Sequence, residues 1–339
     1  MFKVYDSNYK FLRLLDIVKN CYTTEQISTG TKNLYFEVPI NDINLKIMVE
    51  ENYVESSDYN YVIKEVNIKN NNFLQIYCIA NYEELSGIIF PTFDLYQLSL
   101  EEGYKYCLSQ TEWKVTYNST AKTAITYQLP NVSGMEMIRQ IAADNKQELW
   151  FDTKNKTLYV YDKMGKSLGN YYSNELNLQQ LQKQSSSYEY ATVLYPYGKD
   201  GLTIDSINGG KKYLTNYSYT DKYIEKVWID ESYEYPEDLM VAAKAYLEEL
   251  AQPKSSYQLT LSSLGNVKLG DEIILVDYIK RIKQKQRVVK IVHYPYEPEK
   301  DKVDISNLKE DFTTTYLASK KKMEADINDI KKILKTLVK

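Results

Sequence analysis

Hydrophobic and polar residues alternate with a period of two in two runs of the N-terminal third, 61–68 and 73–79. The Asn-rich segment Asn70–Asn72 separates them, which is the pattern of a β-hairpin. Two shorter apolar runs bounded by turn residues, 34–39 and 44–49, are interpreted as further strands. Several strands in series predict a small barrel or sandwich in this region.

Helical spacing begins after this region. Ser99-Leu-Glu-Glu102 and Ser133-Gly-Met-Glu136 are capping boxes, in which a Ser hydroxyl and a Glu three residues later satisfy free backbone N–H groups at a helix start. The apolar runs 148–152 and 157–161 follow the second helix and predict a hairpin. This middle region is therefore expected to be an α+β insertion.

Strand patterns return in the C-terminal half, beginning with residues 191–198. Pro236, followed by two acidic residues, predicts a helix over 236–251, because proline suits the first turn and acidic groups favour the positive end of the helix dipole. Three further apolar runs predict strands at 257–261, 272–276 and 287–292.

The last segment has hydrophobic positions spaced 4, 3, 4, 3, at Met323, Ile327, Ile330, Leu334 and Leu337. This is the a/d seam of a heptad repeat. Two interpretations stay open: an amphipathic helix packed on its own domain, or an oligomerising stalk. Isoleucine at two of these positions, Ile327 and Ile330, favours assemblies larger than dimers.

Composition changes this picture in three ways. The chain has 34 Tyr against 8 Phe and 3 Trp, which is typical either of half-buried strands and wet interfaces or of a Tyr-favouring genome. The net charge of −4 argues against a nucleic-acid-binding protein, in which a basic face is expected. No segment approaches the roughly 20 apolar residues of a membrane span, and no signal-peptide pattern begins the chain. We therefore expect synthesis in a cytosol and no membrane insertion.

Candidate catalytic chemistry is sparse. His293 is the single histidine, and a nucleophilic pairing with Cys21, Cys78 or Cys107 is conceivable. We expect instead that the three cysteines are reduced, buried thiols without a catalytic role. The acidic run 230–238 lacks calcium-loop spacing, and its second half suits a helix N-terminus. The sequence predicts no catalytic residue, no metal site and no cofactor.

Two further segments have alternative interpretations. Gly209-Gly-Lys-Lys212 lacks the remainder of a phosphate-binding loop, so a turn is predicted. The basic stretch Lys280–Arg287 is either a solvated connection between two strands or a contact for an anion or nucleic acid.

The stretch Val193–Ile204, followed by Ile207–Lys211, resembles the phage minor structural protein family, also called prophage tail endopeptidase-like proteins. The same resemblance extends to other segments, at 76–85, 223–228, 238–247, 253–257 and 269–273. Within the first of these segments, the family often has a His where this chain has Asn81. The family is similar in fold to the hub protein of contractile phage baseplates and to the N-terminal part of tail-associated lysins.

The resemblance implies an α+β, β-rich fold with two barrel-like tail-tube domains, α+β insertions and a C-terminal amphipathic helix. The expected first tube domain is 1–85, completed by part of 188–233, and the α+β insertion is 86–187. The second barrel-like domain is 188–316 and contains helix 236–251. The C-terminal helix, a possible coiled-coil start, is 317–339.

The resemblance further implies a structural, non-enzymatic subunit of a phage or prophage tail tip or baseplate. Three copies would form a hub that continues the tail tube, with the distal tail protein ring, the tape-measure protein and receptor-binding or lysin components as partners. DNA would be a passing cargo. Two alternatives stay open: a cell-wall hydrolase using Glu234 or Glu237, and a carbohydrate-binding tip protein using exposed Tyr and Trp.

Overall fold

A computed structural model describes residues 2–15, 18–69, 72–173, 178–186, 190–261, 265–277 and 282–306. The strands are β1 Phe2–Tyr5, β2 Phe11–Leu15, β3 Lys19–Gln26, β4 Thr31–Pro39, β5 Tyr53–Glu55, β6 Asn60–Lys69, β7 Phe73–Ala80, β8 Ile89–Ser99, β9 Lys114–Tyr117, β10 Ala124–Ser133, β11 Glu148–Asp152, β12 Thr157–Tyr161, β13 Ser167–Ser173, β14 Leu178–Ser186, β15 Val193–Tyr197, β16 Leu214–Thr215, β17 Glu225–Ile229, β18 Lys254–Leu261, β19 Glu272–Asp277, β20 Ile282–His293 and β21 Lys302–Ser306. The α-helices are α1 Asp42–Ile47, α2 Glu83–Gly87, α3 Leu100–Cys107, α4 Gly134–Asp144 and α5 Pro236–Leu250.

Contacts divide the chain into two compact units. Among the described residues, the first contains those up to 181 together with 258–305, and the second contains 182–257 and Ser306. The four-domain division predicted from the sequence stays a prediction. The predicted class, a β-rich α+β fold, is confirmed by the element content.

One large sheet organises the first unit. Nine of its strands lie side by side in the order β21, β20, β3, β4, β7, β6, β5, β1, β2, and β19 pairs with β20 and β13. The β20–β3 pair is antiparallel, with Ile291 opposite Glu25 and His293 opposite Thr23. Strands from the beginning and the end of the described chain therefore form a single sheet.

The predicted hairpin at 61–68 and 73–79 is confirmed as β6 and β7, which pair antiparallel from Tyr61 opposite Ala80 to Lys69 opposite Phe73. Alternate residues of β7 are buried, so one face of this strand lies in the core and the other is partly exposed. The buried cluster beneath the sheet includes Phe36, Ile63 and Ile76.

The segment predicted as a strand at 44–49 is a helix instead, and that prediction was wrong. The Asn41 side chain accepts hydrogen bonds from the backbone N–H groups of Ile43 and Asn44 and so caps α1. Asn44 and Ile47, three residues apart, are the buried positions of this helix. The short apolar run therefore fits a helical turn, and the cap decides the conformation.

The α+β insertion of the first unit is built on β8 to β12 and helices α2, α3 and α4. Both predicted capping boxes are present: Ser99 accepts from the N–H of Glu102, and Ser133 accepts from the N–H of Glu136. The predicted hairpin of 148–152 and 157–161 is confirmed as β11 and β12, and β9 pairs parallel with β12. Helices and sheets bury a shared cluster that includes Tyr104, Ile138 and Phe151.

The second unit has a small sheet, in which β15 pairs antiparallel with β16 and parallel with β17. The predicted helix at 236–251 is confirmed as α5, with Pro236 in its first turn. The apolar face of α5, with Leu239 and Leu247, shares a buried cluster with Leu194 of β15. The predicted turn at Gly209 and Gly210 is also present, since both residues have positive φ.

Within the part of the chain that the structure describes, no helix is long and apolar enough to cross a membrane.

Candidate functional sites

A cleft of about 980 Å³ opens on the first unit. One wall comes from the paired strands β3 and β20 and carries Glu25, Ile291 and His293. Two loops, 163–166 and 265–269, supply the other walls. The cleft has the size of an ordinary ligand pocket.

The floor of the cleft is the outer face of the β11–β12 hairpin. Trp150 stands directly opposite Tyr159 in the strand register, and Tyr161 follows two residues later on the same face. The rings of Tyr159 and Tyr161 are nearly parallel, with centroids 6.4 Å apart. The other face of the hairpin, with Leu149 and Phe151, is fully buried in the insertion core. Strand alternation thus divides this hairpin into a core face and an aromatic cleft face.

The single histidine lies at the rim of this cleft. The Nδ1 atom of His293 lies 3.1 Å from both carboxylate oxygens of Asp301, which is buried and also accepts a hydrogen bond of 2.7 Å from the Tyr294 N–H. The described residues that line the cleft include no Ser, Thr or Cys. The His–Asp pair therefore orients an imidazole beside the cleft, and none of the described lining residues offers it a nucleophile of these types.

The three cysteines lie elsewhere. Cys21, Cys78 and Cys107 are all buried and unpaired as free thiols. Burial raises the pKa of the Cys21 thiol to about 12 and raises the pKa of Cys78 and Cys107 as well. A protonated, buried thiol is a poor nucleophile, so these side chains serve as small apolar packing residues.

The residues of the hydrolase alternative are on the second unit. Glu234 forms an ion pair with Lys199, and Glu237 lies in the first turn of α5. Among the residues that the structure describes, no cluster of three or more His, Cys, Asp or Glu side chains is arranged to hold a metal ion.

A buried ion pair joins the β11–β12 hairpin to the large sheet. The guanidinium of Arg287 donates two hydrogen bonds of 2.6 Å to the carboxylate of Glu148. It also donates to the carbonyl oxygens of Gly270 and Met164, at 3.1 and 2.9 Å. The Met164 N–H donates to the same carboxylate at 2.7 Å. The basic stretch Lys280–Arg287 thus ends in a structural residue, while Lys285 pairs with Glu272 at 2.5 Å.

Two glycines make this joint possible. Gly165 and Gly270 have φ values of +86° and +87°, a region that glycine adopts without penalty. A Cβ at Gly165 would lie 2.0 Å from the carbonyl carbon of Gly270. The two backbones therefore approach as closely as only glycine permits.

A second joint fixes the turn of the same hairpin to β6. The Thr153 hydroxyl accepts a hydrogen bond of 2.8 Å from the Asn60 N–H and donates one of 2.9 Å to the Asn60 carbonyl. The Tyr59 hydroxyl donates to the Phe151 carbonyl. Beside them, Lys154 pairs with Glu55 at 2.5 Å. Sequence reasoning missed both joints, because their partners lie about ninety or more residues apart along the chain.

The predicted oligomerisation residues Met323, Ile327, Ile330, Leu334 and Leu337 lie outside the described residues. Asn81, the position where the related family often has a histidine, donates a hydrogen bond of 2.9 Å to the Tyr9 hydroxyl.

Comparison with known proteins identifies the relatives of this architecture. Residues 167–316 match the family model described as "Prophage endopeptidase tail", which is less than half of the chain. No curated protein matches.

Solved structures match nearly the whole chain. The prophage tail protein gp18 of Listeria monocytogenes EGD-e is 15% identical, with a TM-score of 0.65, over 94% of this chain and 98% of its own. The 43 kDa tail protein of prophage MuSo2 from Shewanella oneidensis is 10% identical, with a TM-score of 0.63, over 90% and 97%.

A more distant match is an E. coli component of the type VI secretion system, described as structurally similar to the T4 tail proteins gp27 and gp5. It is 10% identical, with a TM-score of 0.50, over 90% of this chain and 76% of its own. The resemblance drawn from the sequence is confirmed: the chain has the fold of prophage tail proteins, and its residues 167–316 match the prophage endopeptidase tail family.

Proposed function

We propose that this chain is a structural subunit of a phage or prophage tail tip or baseplate. The observation that supports this most is the length of the fold match, because a prophage tail protein is covered over 98% of its own chain. The protein would be made in the bacterial cytoplasm and would end in the virion.

The finer proposal is a trimeric hub that continues the tail tube. Its support is the heptad seam Met323 to Leu337. The spacing of the seam predicts a coiled coil, and its isoleucines favour assemblies larger than dimers. The similarity of one fold relative to the T4 proteins gp27 and gp5 agrees with a hub position. The hub would bind the distal tail ring and the tape-measure protein on one side and receptor-binding or lysin components on the other, with DNA passing through.

We further propose that the chain is not an enzyme. The residues on which a hydrolase would depend do not form one site: Glu234 and Glu237 are on the second unit, and His293 is on the first. The cysteine thiols are buried, His293 is bonded to a buried carboxylate, and Glu234 is paired with Lys199.

Labelling of tail particles tests the location. A tagged copy of the chain should place gold label at one end of isolated tails in electron micrographs. A label along the tail shaft, on the capsid, or absent from tails that still incorporate their other proteins would contradict the proposal.

Native mass spectrometry of the full chain at increasing concentration tests the trimer. We expect the trimer to weaken in Ile327→Asp and Ile330→Asp, which place a charge in the seam, and to persist in Asn328→Asp, which places it outside the seam. A strict monomer that also fails to bind the distal tail ring would exclude a hub.

Zymography on peptidoglycan tests the absence of activity. We expect no clearing by the wild-type chain. Clearing that disappears in Glu234→Gln or Glu237→Gln would show a hydrolase instead.

A further inference from the structure

The aromatic cleft of the first unit has no role in the hub described above. Its floor is a platform of Trp150, Tyr159 and Tyr161, which are half-buried and aligned on one face of the hairpin. The ring of Trp150 packs against the buried ring of Tyr59, with centroids 6.2 Å apart. A row of aromatic rings on a rigid hairpin offers flat apolar surface at the bottom of a polar cleft.

The Tyr161 hydroxyl of this platform is a hydrogen-bonding group. Burial and the neighbouring Tyr159 raise the pKa of Tyr161, so its hydroxyl stays protonated and able to donate. Each tyrosine thus presents an apolar ring and a polar tip to a ligand.

The walls carry balanced charge. The described lining contains three lysines and three carboxylates, so its formal charge is zero with His293 neutral: Lys163, Lys166, Lys268, Glu25, Asp152 and Asp271. Most of these groups already have partners within the protein. Lys163 pairs with Glu272 at 2.9 Å, and Glu25 pairs with Lys32 at 3.2 Å. The carboxylate of Asp271 accepts from the backbone N–H groups of the two loops, at 2.8 and 2.9 Å.

These features select the class of ligand. A polyanion such as single-stranded nucleic acid also stacks on aromatic rings, but it requires a net positive groove. A peptide would use an apolar pocket or an open strand edge. A sugar ring has an apolar C–H face that packs on an aromatic ring and hydroxyl groups at its edge that both donate and accept. The aromatic floor, the mixed donors and acceptors, and the zero formal charge of the described lining residues together suit that chemistry.

We propose that this cleft binds a neutral carbohydrate chain, whose sugar rings stack on Trp150, Tyr159 and Tyr161. The amide of Asn266, the imidazole of His293 and the ammonium groups of Lys166 and Lys268 supply hydrogen bonds to the hydroxyl groups. The His293–Asp301 pair is then a positioning device, because Asp301 holds the imidazole at the rim of the cleft. This inference is independent of the hub proposal, since a tail subunit could lack the site and a sugar-binding protein could lie elsewhere.

Isothermal titration calorimetry on the full chain tests it, with cellohexaose, maltohexaose, N-acetylchitohexaose and oligothymidylate as probes. We expect at least one hexasaccharide to bind with a Kd of about 1 mM or tighter and oligothymidylate to bind more weakly. Failure of all three sugars at this affinity, or tighter binding of oligothymidylate, would overturn the proposal.

Variants locate the binding. Tyr159→Ala should weaken sugar binding by about 10-fold because it removes the central ring, whereas Tyr159→Phe keeps the ring and most of the affinity. Asn266→Ala, on the loop wall, provides a second test that spares the hairpin and should weaken binding by about 5-fold. The matched control is Tyr96→Ala, which removes a 74% exposed tyrosine of β8. Equal losses in Tyr96→Ala and Tyr159→Ala, or no loss in either cleft variant, would exclude this site.

Discussion

The β11–β12 hairpin is held to the large sheet at two joints of opposite chemistry. At its start, the buried carboxylate of Glu148 meets the Arg287 guanidinium, and the two side chains are only 6% and 12% exposed. At its turn, the neutral hydroxyl of Thr153 bonds to the Asn60 backbone, and the ion pair of Lys154 with Glu55 lies nearer to solvent. A buried charge is costly once its partner is removed, whereas an exposed charge returns to water. The two joints should therefore differ strongly in what a single substitution costs.

The largest effect is expected at the buried joint. Arg287→Met should lower the free energy of unfolding by about 3–5 kcal/mol, because it leaves the Glu148 carboxylate buried without its counter-ion. Urea unfolding followed by fluorescence measures this in a Trp228→Phe background, where the remaining Trp113 and Trp150 report on the first unit.

The double variant Arg287→Met with Glu148→Leu is the control. It removes both charges, so most of the lost stability should return. A single variant within about 1 kcal/mol of the wild type would show that the pair contributes no more than an exposed one.

This joint also marks the limit of what the sequence could predict. The hairpins, the two capping boxes and the helix at Pro236 follow from local patterns, and each is present. The 44–49 run was assigned wrongly, because a six-residue helix and a short strand bury similar apolar residues and only the Asn41 cap separates them. Arg287 and Glu148 lie 139 residues apart, and their pairing depends on which strands become neighbours, which no local pattern encodes.

In the cleft, too, the local structure could be predicted from the sequence and the long-range contacts could not. The apolar runs 148–152 and 157–161 predicted the hairpin, and the alternation of side chains along its strands sets Trp150, Tyr159 and Tyr161 on one face. The opposite wall could not be predicted, because it requires β20 to pair with β3 across most of the chain length. The histidine at the rim was noted from the sequence, but its partner Asp301 and its place beside the aromatic floor were not.

The backbone contact beneath the buried joint should give the next largest effect. Gly165→Ala is expected to cost about 3 kcal/mol, from the strain of a positive φ together with the displacement of Gly270. The matched control is Gly169→Ala, which has a φ of +72° with nothing within 4 Å of the added Cβ. It should cost only the backbone strain, about 1 kcal/mol. Equal urea midpoints for the two variants would show that the close approach is not needed.

At the neutral joint, Thr153→Val should lower the free energy of unfolding by about 1–3 kcal/mol. The substitution keeps the side-chain shape but leaves the Asn60 N–H and carbonyl without their hydroxyl partner. Thr157→Val, at the other end of the same turn, is the control, because its hydroxyl donates only to the exposed carbonyl of Asn155. A Thr157→Val effect as large as that of Thr153→Val would contradict the assignment of the joint to Thr153.

The smallest effect is expected at the exposed pair, where Lys154→Met should cost about 0.5 kcal/mol at pH 7. The hydrogen bond from Lys154 lowers the pKa of Glu55 below its ordinary value of 4.5, although partial desolvation opposes it.

This shift sets the pH dependence. A carboxyl group whose pKa is lower in the folded state than in the unfolded state stabilises the protein at a pH above its unfolded-state pKa. This stabilisation is lost as the pH falls through the folded-state pKa. The difference between the wild type and Lys154→Met should therefore be constant above about pH 5 and should shrink toward zero as Glu55 is protonated in acid. Urea midpoints measured between pH 7 and pH 3 check this. A difference that does not change with pH would show that the lysine acts at this joint through the packing of its methylene groups, and the joint would then be neutral throughout.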